Sequence, residues 1–122
     1  MSIESLAFDD TSILNSKMME VSMEVQRVIA NNLANAETPG YTRLKLDFQN
    51  SLSKAVKSGN ISEVENLDPE LVEDTTNAPG LDGNNISVTM EMNEMMQNSV
   101  FYNLLNRAFK TRMGILKSAI RG

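Results

Sequence analysis

ANNLANAETPGY, residues 30–41, ends a helical pattern and turns the chain within twelve positions. Asparagine is a mediocre helix former, so Asn31, Asn32 and Asn35 in the last turns need a reason. Asn31 and Asn35 sit where side chains can satisfy the free carbonyls or amides of a helix end. Asn32 falls on the apolar seam itself, where a polar residue costs stability but can fix register. Thr38-Pro39-Gly40-Tyr41 then suits a type II turn. Pro39 presets the first central position, Gly40 takes a positive φ at the second, and Tyr41 can fold back onto the helix.

Upstream, Leu14, Met18, Val21, Val25, Val28 and Asn32 follow 4-3-4-3-4 spacing, the seam of an N-terminal helix over 11–36. Ile29 and Leu33 widen the stripe, and Asp10 or Thr11 is the expected N-cap, after a flexible N-terminus over 1–10. Downstream, residues 37–48 are expected as the turn and an extended segment, in which Leu44, Leu46 and Phe48 alternate with polar residues. Residues 49–85 read as a variable, polar and partly disordered loop, with one or two helical turns around Leu52 and Val56. A C-terminal helix is expected over 86–122, capped by Asn85 or Ser87. Its seam runs Val88, Met92, Met95, Ser99, Tyr102, Asn106, Phe109, Met113, Leu116 and Ile120. At 1.5 Å per residue such a helix spans roughly 50 Å, whereas a compact domain of this length has a radius of gyration near ~14 Å. Its seam needs the first helix or another molecule. The fold expected is one mainly α domain with two long helices packed as in a coiled coil.

Composition excludes much. The 122 residues carry a net charge of −5, with no histidine and no cysteine. The commonest general base and the thiolate metal sites are both missing. No Walker or dinucleotide glycine pattern is present, and Asp82-Gly83-Asn84-Asn85 lacks the later glutamate of a calcium loop. No catalytic residue, cofactor or metal is expected. The acidic balance gives no support for nucleic-acid or lipid binding, and no apolar run is long enough to span a bilayer. Charge on the second helix is segregated: Glu91 and Glu94 near its start, then Arg107, Lys110, Arg112, Lys117 and Arg121. This matches the helix dipole and suits head-to-tail contact between subunits.

Ala30, Asn31, Asn32, Leu33, Ala34, Asn35, Thr38, Gly40 and Tyr41 resemble the signature A-N-N-[IL]-A-N-x-x-T-x-G-Y of bacterial flagellar basal-body rod and hook proteins. Leu46-Asp47-Phe48, and a closing stretch with Glu91-Met92, Asn98, Tyr102 and Leu116–Ile120, resemble the short proximal rod members of that family. Ser87 stands where an acidic residue usually starts the closing helix. The resemblance implies a non-enzymatic structural subunit of the periplasmic rod, exported without a cleaved signal peptide and transmitting torque toward the distal rod and hook. Its implied partners are other rod proteins, the membrane-ring junction, export-gate components and further copies of itself. Leu14, Met18, Val21, Val25, Val28, Asn32, Met92, Met95, Tyr102, Phe109, Met113, Leu116 and Ile120 would then form assembly interfaces. Two alternatives stand beside it. One is a helical adaptor or export chaperone that holds a partner helix in a groove lined by Met90, Met92, Met95, Met96 and Met113. The other is an enzyme using the acidic loop, with a metal.

Overall fold

A computed structural model describes residues 10–121. The chain is mainly helical. Helix α1 spans Asp10–Ala34, strand β1 Leu44–Asp47, helix α2 Gln49–Lys57, helix α3 Ile61–Glu65, strand β2 Glu70–Glu73 and helix α4 Val88–Arg121. Helices α1 and α4 pack antiparallel: Asn32 meets Glu91, Ser22 and Gln26 meet Asn98, and Ser16 and Lys17 share a cleft with Phe109 and Met113. At 34 residues, α4 is about 51 Å long and outruns α1.

The two strands form an antiparallel pair with Leu44 opposite Glu73 and Asp47 opposite Glu70. β1 lies against α1, and α3 packs on α1 as well, with Ala55 and Val64 beside Thr11 and Leu14 at its N-terminal end. Among the described residues the buried apolar core is small: Val21 and Ile29 of α1, Ala55 of α2 and Val64 of α3. The middle of the chain, read as mostly loop beyond residue 57, therefore holds a helix and a strand. Their acidic residues hid them. Glu63, Glu65, Glu70 and Glu73 point to solvent, while Val64 is buried and Val72 half-buried.

Helix boundaries follow local chemistry. Asp10 and Thr11 lie inside the first turn of α1, so its capping position falls outside the described residues. Ser87 caps α4. Its hydroxyl accepts the Met90 amide at 3.4 Å and its carbonyl accepts the Glu91 amide at 2.9 Å. Asn85 does not cap the helix and bonds elsewhere. The face of α4 turned to α1 is offset from the anticipated seam. Glu91, Met95, Asn98, Tyr102, Leu105, Phe109 and Leu116 line it, with Met113 beside them, whereas Met92 and Ile120 are exposed. Glu91 and Asn98 displace the pattern because each is paired on burial: Glu91 with Arg43 and Asn32, Asn98 with Ser22 and Gln26.

Candidate functional site

The densest polar structure lies where α1 ends, β1 begins and α4 starts. The turn comes first. The Tyr41 amide donates to the Thr38 carbonyl at 3.3 Å and Gly40 has φ +73, so a type II turn closes over Pro39-Gly40. Asn35 Nδ2 donates to the Asn31 carbonyl at 2.9 Å, and the Thr38 hydroxyl donates to Asn35 Oδ1 at 3.1 Å. A second turn docks onto this one. The Gly40 amide donates to the Asp82 carbonyl at 2.8 Å, and a Cβ on Gly83 would meet Gly40 Cα at 3.3 Å. Asn84 Nδ2 then donates to the Asn35 and Thr38 carbonyls at 2.8 and 2.9 Å. Carbonyls that a helix end would leave to water are thus satisfied by a residue almost fifty positions away.

Asn32 is fully buried, at 0% exposure. Its carbonyl oxygen accepts from the Leu44 amide and the Tyr41 hydroxyl, both at 3.0 Å. Its amide donates to the Leu44 carbonyl at 2.8 Å and to Glu91 Oε2 at 3.4 Å. All four bonding positions of the side chain are used. Toward Leu44 it acts as a strand neighbour would, binding both the amide and the carbonyl of one residue. Asn31 Nδ2 completes the cluster by donating to the Tyr41 hydroxyl at 2.8 Å. Burial is the main cause of a raised Tyr41 pKa, opposed by the bond from Asn31 and reinforced by the Glu91 charge.

Arg43 lies at the centre, 7% exposed. Its guanidinium bonds Glu91 through Nε, Glu94 through Nη2, and Asp74 through Nη1 at 2.6 Å. Its backbone is held as well: the amide donates to Asn85 Oδ1 at 2.7 Å and the carbonyl accepts the Asp74 amide at 2.7 Å. Asn85 Nδ2 donates onward to the Asp74 carbonyl at 2.8 Å. Burial by itself would lower the Arg43 pKa. The bond and charge of Glu91, with Glu94 and Asp74, outweigh it and raise the value. Asp74 is lowered to about 2, chiefly by the Thr76 hydroxyl and amide, with Arg43 contributing after the opposing effect of burial. Three carboxylates converge on the guanidinium rather than on an open position. The arrangement joins chain segments, with three carboxylates sharing one guanidinium.

The structure places the turn residues Asn31, Asn32, Asn35, Thr38, Pro39, Gly40 and Tyr41 together at this corner. Of the α1 seam, Val21 is buried and Leu14, Met18, Val25 and Val28 are half-buried. Val25 and Val28 line an open groove of about 350 Å³ with Leu44, Leu46 and Phe48, and the polar Lys45, Asp47, Gln49 and Glu94 share its walls. Met95, Tyr102, Phe109, Met113 and Leu116 are half-buried along α4. The sequence reading left out Arg43, Asp74, Asn84 and Asn85 as site residues, and did not join Glu91 and Asn98 to the packing face. One signal was available: Glu91, Met95, Asn98 and Tyr102 already keep 4-3-4 spacing, with polar residues on the row.

A family model described as "Flagella basal body rod protein" matches residues 25–42, the end of α1 and its turn. The flagellar basal body rod protein FlgB of Bacillus subtilis (strain 168) is 32% identical over 107 residues, covering 80% of this chain and 82% of that relative. FlgB of Borrelia hermsii is 28% identical over 115 residues, covering 80% and 85%. FlgB of Escherichia coli (strain K12) is 27% identical over 114 residues, covering 76% and 83%.

Proposed function

Since the chain belongs to the FlgB family of flagellar basal body rod proteins, we propose that it is a self-assembling subunit of the proximal rod. In this reading it transmits torque between the membrane-ring junction and the distal rod and hook. It has no catalytic role and leaves the cytoplasm through the flagellar export gate without a cleaved signal peptide. The observation that carries the reading is the contrast between a densely bonded polar corner and an unfilled groove of mixed polar and apolar lining beside it. Asn32, Arg43 and Glu91 tie α1, β1 and α4 to one another with satisfied polar groups. Val25 and Val28 meanwhile line a groove open to a neighbour. A subunit that carries load needs both: an inflexible internal joint and faces that are completed by packing.

The test is complementation of cells lacking their own copy. Val25→Asp places a charge in the open groove, and Phe109→Asp places one between α4 and α1. Both variants should be exported yet fail to restore rods or swimming. Normal motility with either as the sole copy would refute the interface assignment. The adaptor reading retains one favourable observation, the exposed Met92 and Met96 on α4. It predicts that fractionated basal bodies contain none of this chain, whereas the rod reading predicts a fixed stoichiometry there.

A further inference from the structure

Apolar area does not choose the face of α4 that meets α1. A row through Val88, Met92, Met95, Ser99, Tyr102 and Asn106 keeps the spacing of a helix face. The row that packs runs Glu91, Met95, Asn98, Tyr102 and Leu105 over the same stretch. The two rows lie about 50° apart round a helix that turns ~100° per residue, and they share Met95 and Tyr102. Rolling α4 from the packed row to the other would exchange Glu91, Asn98 and Leu105 for Val88, Met92, Ser99 and Asn106. That exchange buries one more large apolar side chain and no charge, so a helix settling by apolar area would make it. The fold does the reverse. Val88 and Met92 stay 49% and 52% exposed, while Glu91 is 0% exposed.

The polar members of the packed row meet matched partners. Glu91 bonds Arg43 and, at 3.4 Å, the Asn32 amide. Two turns on, Asn98 Oδ1 accepts the Ser22 hydroxyl at 3.0 Å. Its Nδ2 donates to the Ser22 carbonyl at 2.8 Å and to Gln26 Oε1 at 2.7 Å. Ser22 is itself buried. Rolling α4 would take the acceptor from that hydroxyl and Glu91 from Arg43, and neither loss is made good by the serine of the other row. Two fixed points along a rod set its rotation and its axial position together. We propose that Glu91 and Asn98 are positioning residues: they choose which face of α4 packs on α1, and so which face the subunit presents outward. Buried polar groups lower stability, but they favour one arrangement over its near relatives. The choice of face stands apart from the rod reading; that neighbouring subunits meet the outward face rests on it.

The chain has no cysteine, so one introduced thiol reports its own position to maleimide on the full-length protein. In an otherwise unchanged chain, Met92→Cys should label fast and Leu105→Cys slowly, from their exposed and half-buried positions. Two sets of substitutions remove the polar points: Arg43→Met with Glu91→Met, and Ser22→Ala and Gln26→Leu with Asn98→Leu. With both sets in place, helix content by circular dichroism should hold and the order should reverse. Met92→Cys should slow and Leu105→Cys should speed up, each by at least about tenfold. An unreversed order overturns the proposal, because apolar packing would then set the face. Fast labelling of both thiols overturns it too, because the polar groups would then hold the helices together without choosing between faces. A milder variant keeps the test open if the combined set does not fold. Leu105→Ser weakens the packed row and keeps both polar points, so Met92→Cys should label within a factor of about three of its rate in the chain with Leu105. Any larger slowing would show α4 rolling with its apolar content and would overturn the proposal. Swimming is scored separately with the Val25 and Phe109 variants, so failure of the face assignment and failure of the rod assignment are told apart.

Discussion

Replacing Arg43 by methionine should open the corner while leaving most of both helices in place. The magnitude follows from what would be left behind. Glu91 is fully buried, and its partners are Arg43 Nε and the longer bond from Asn32. Without the guanidinium, Glu91 becomes a buried carboxylate facing Asp74 and Glu94. Breaking a buried pair in this way costs about 3–5 kcal/mol. Against a total stability of roughly 5–15 kcal/mol for a typical domain, and with a small apolar core, that is enough to unfold the corner locally. Amide exchange followed by mass spectrometry reads it directly. Peptides containing Leu44 and Asn85 should exchange about two to four decades faster, since each decade corresponds to ~1.4 kcal/mol. Peptides across Met113–Ile120 should barely change. The double variant Arg43→Met, Glu91→Met removes the stranded charge and should regain at least ~2 kcal/mol of the loss. Exchange within a factor of about five of wild type in the single variant would refute the reasoning. So would a double variant no better protected than the single.

Gly40→Ala should cost about 1–2 kcal/mol of corner stability through its positive φ alone, since a Cβ there meets nothing within 4 Å. Gly83→Ala should cost more, because its Cβ also presses on Gly40 Cα; equal effects in denaturant melts would argue against the contact between the two turns. Asp74 is more acidic folded than unfolded. It therefore contributes stability above the ordinary carboxylate pKa of about 4, and that contribution is lost as pH falls toward about 2. Thr76→Val, which removes the largest cause, should shift the acid-induced opening of the corner to higher pH, as followed by tyrosine fluorescence in a Tyr102→Phe background, where Tyr41 alone emits. Asn98→Leu takes the acceptor from the buried Ser22 hydroxyl and removes a bond to the Ser22 carbonyl at 2.8 Å. It should cost about 1–3 kcal/mol by thermal melting, with a stability equal to wild type ruling out a structural part for this polar layer.

The two helices were legible because aliphatic and methionine side chains recur every three to four residues along each. The turn was legible because proline and glycine restrict the backbone in known ways, and Gly40 adopts the φ that a type II turn demands. What escaped were contacts whose value depends on a distant partner. Arg43 looks like one basic residue in an alternating strand, and its burial is decided by acids 31, 48 and 51 positions away. Asn85 looks like a cap because asparagine before a helix usually is one. Here Ser87 takes that place and Asn85 is drawn to the strand. Glu91 and Asn98 look like surface residues until their partners are known, and that misreading turned the α4 seam toward Met92.

The separation of Arg43 from its partners also bears on timing. A chain that emerges N-terminus first, from a ribosome or from a narrow pore, presents Arg43 long before Asp74, Glu91 and Glu94. Asn32 likewise waits for Glu91, and the end of α1 waits for Asn84. Until about three quarters of the polypeptide is out, Arg43 lacks Glu91 and Glu94, and α1 lacks the helix that packs along it. The joint is completed late, by the segment that follows, so the leading part stays pliant through transit and stiffens only on arrival.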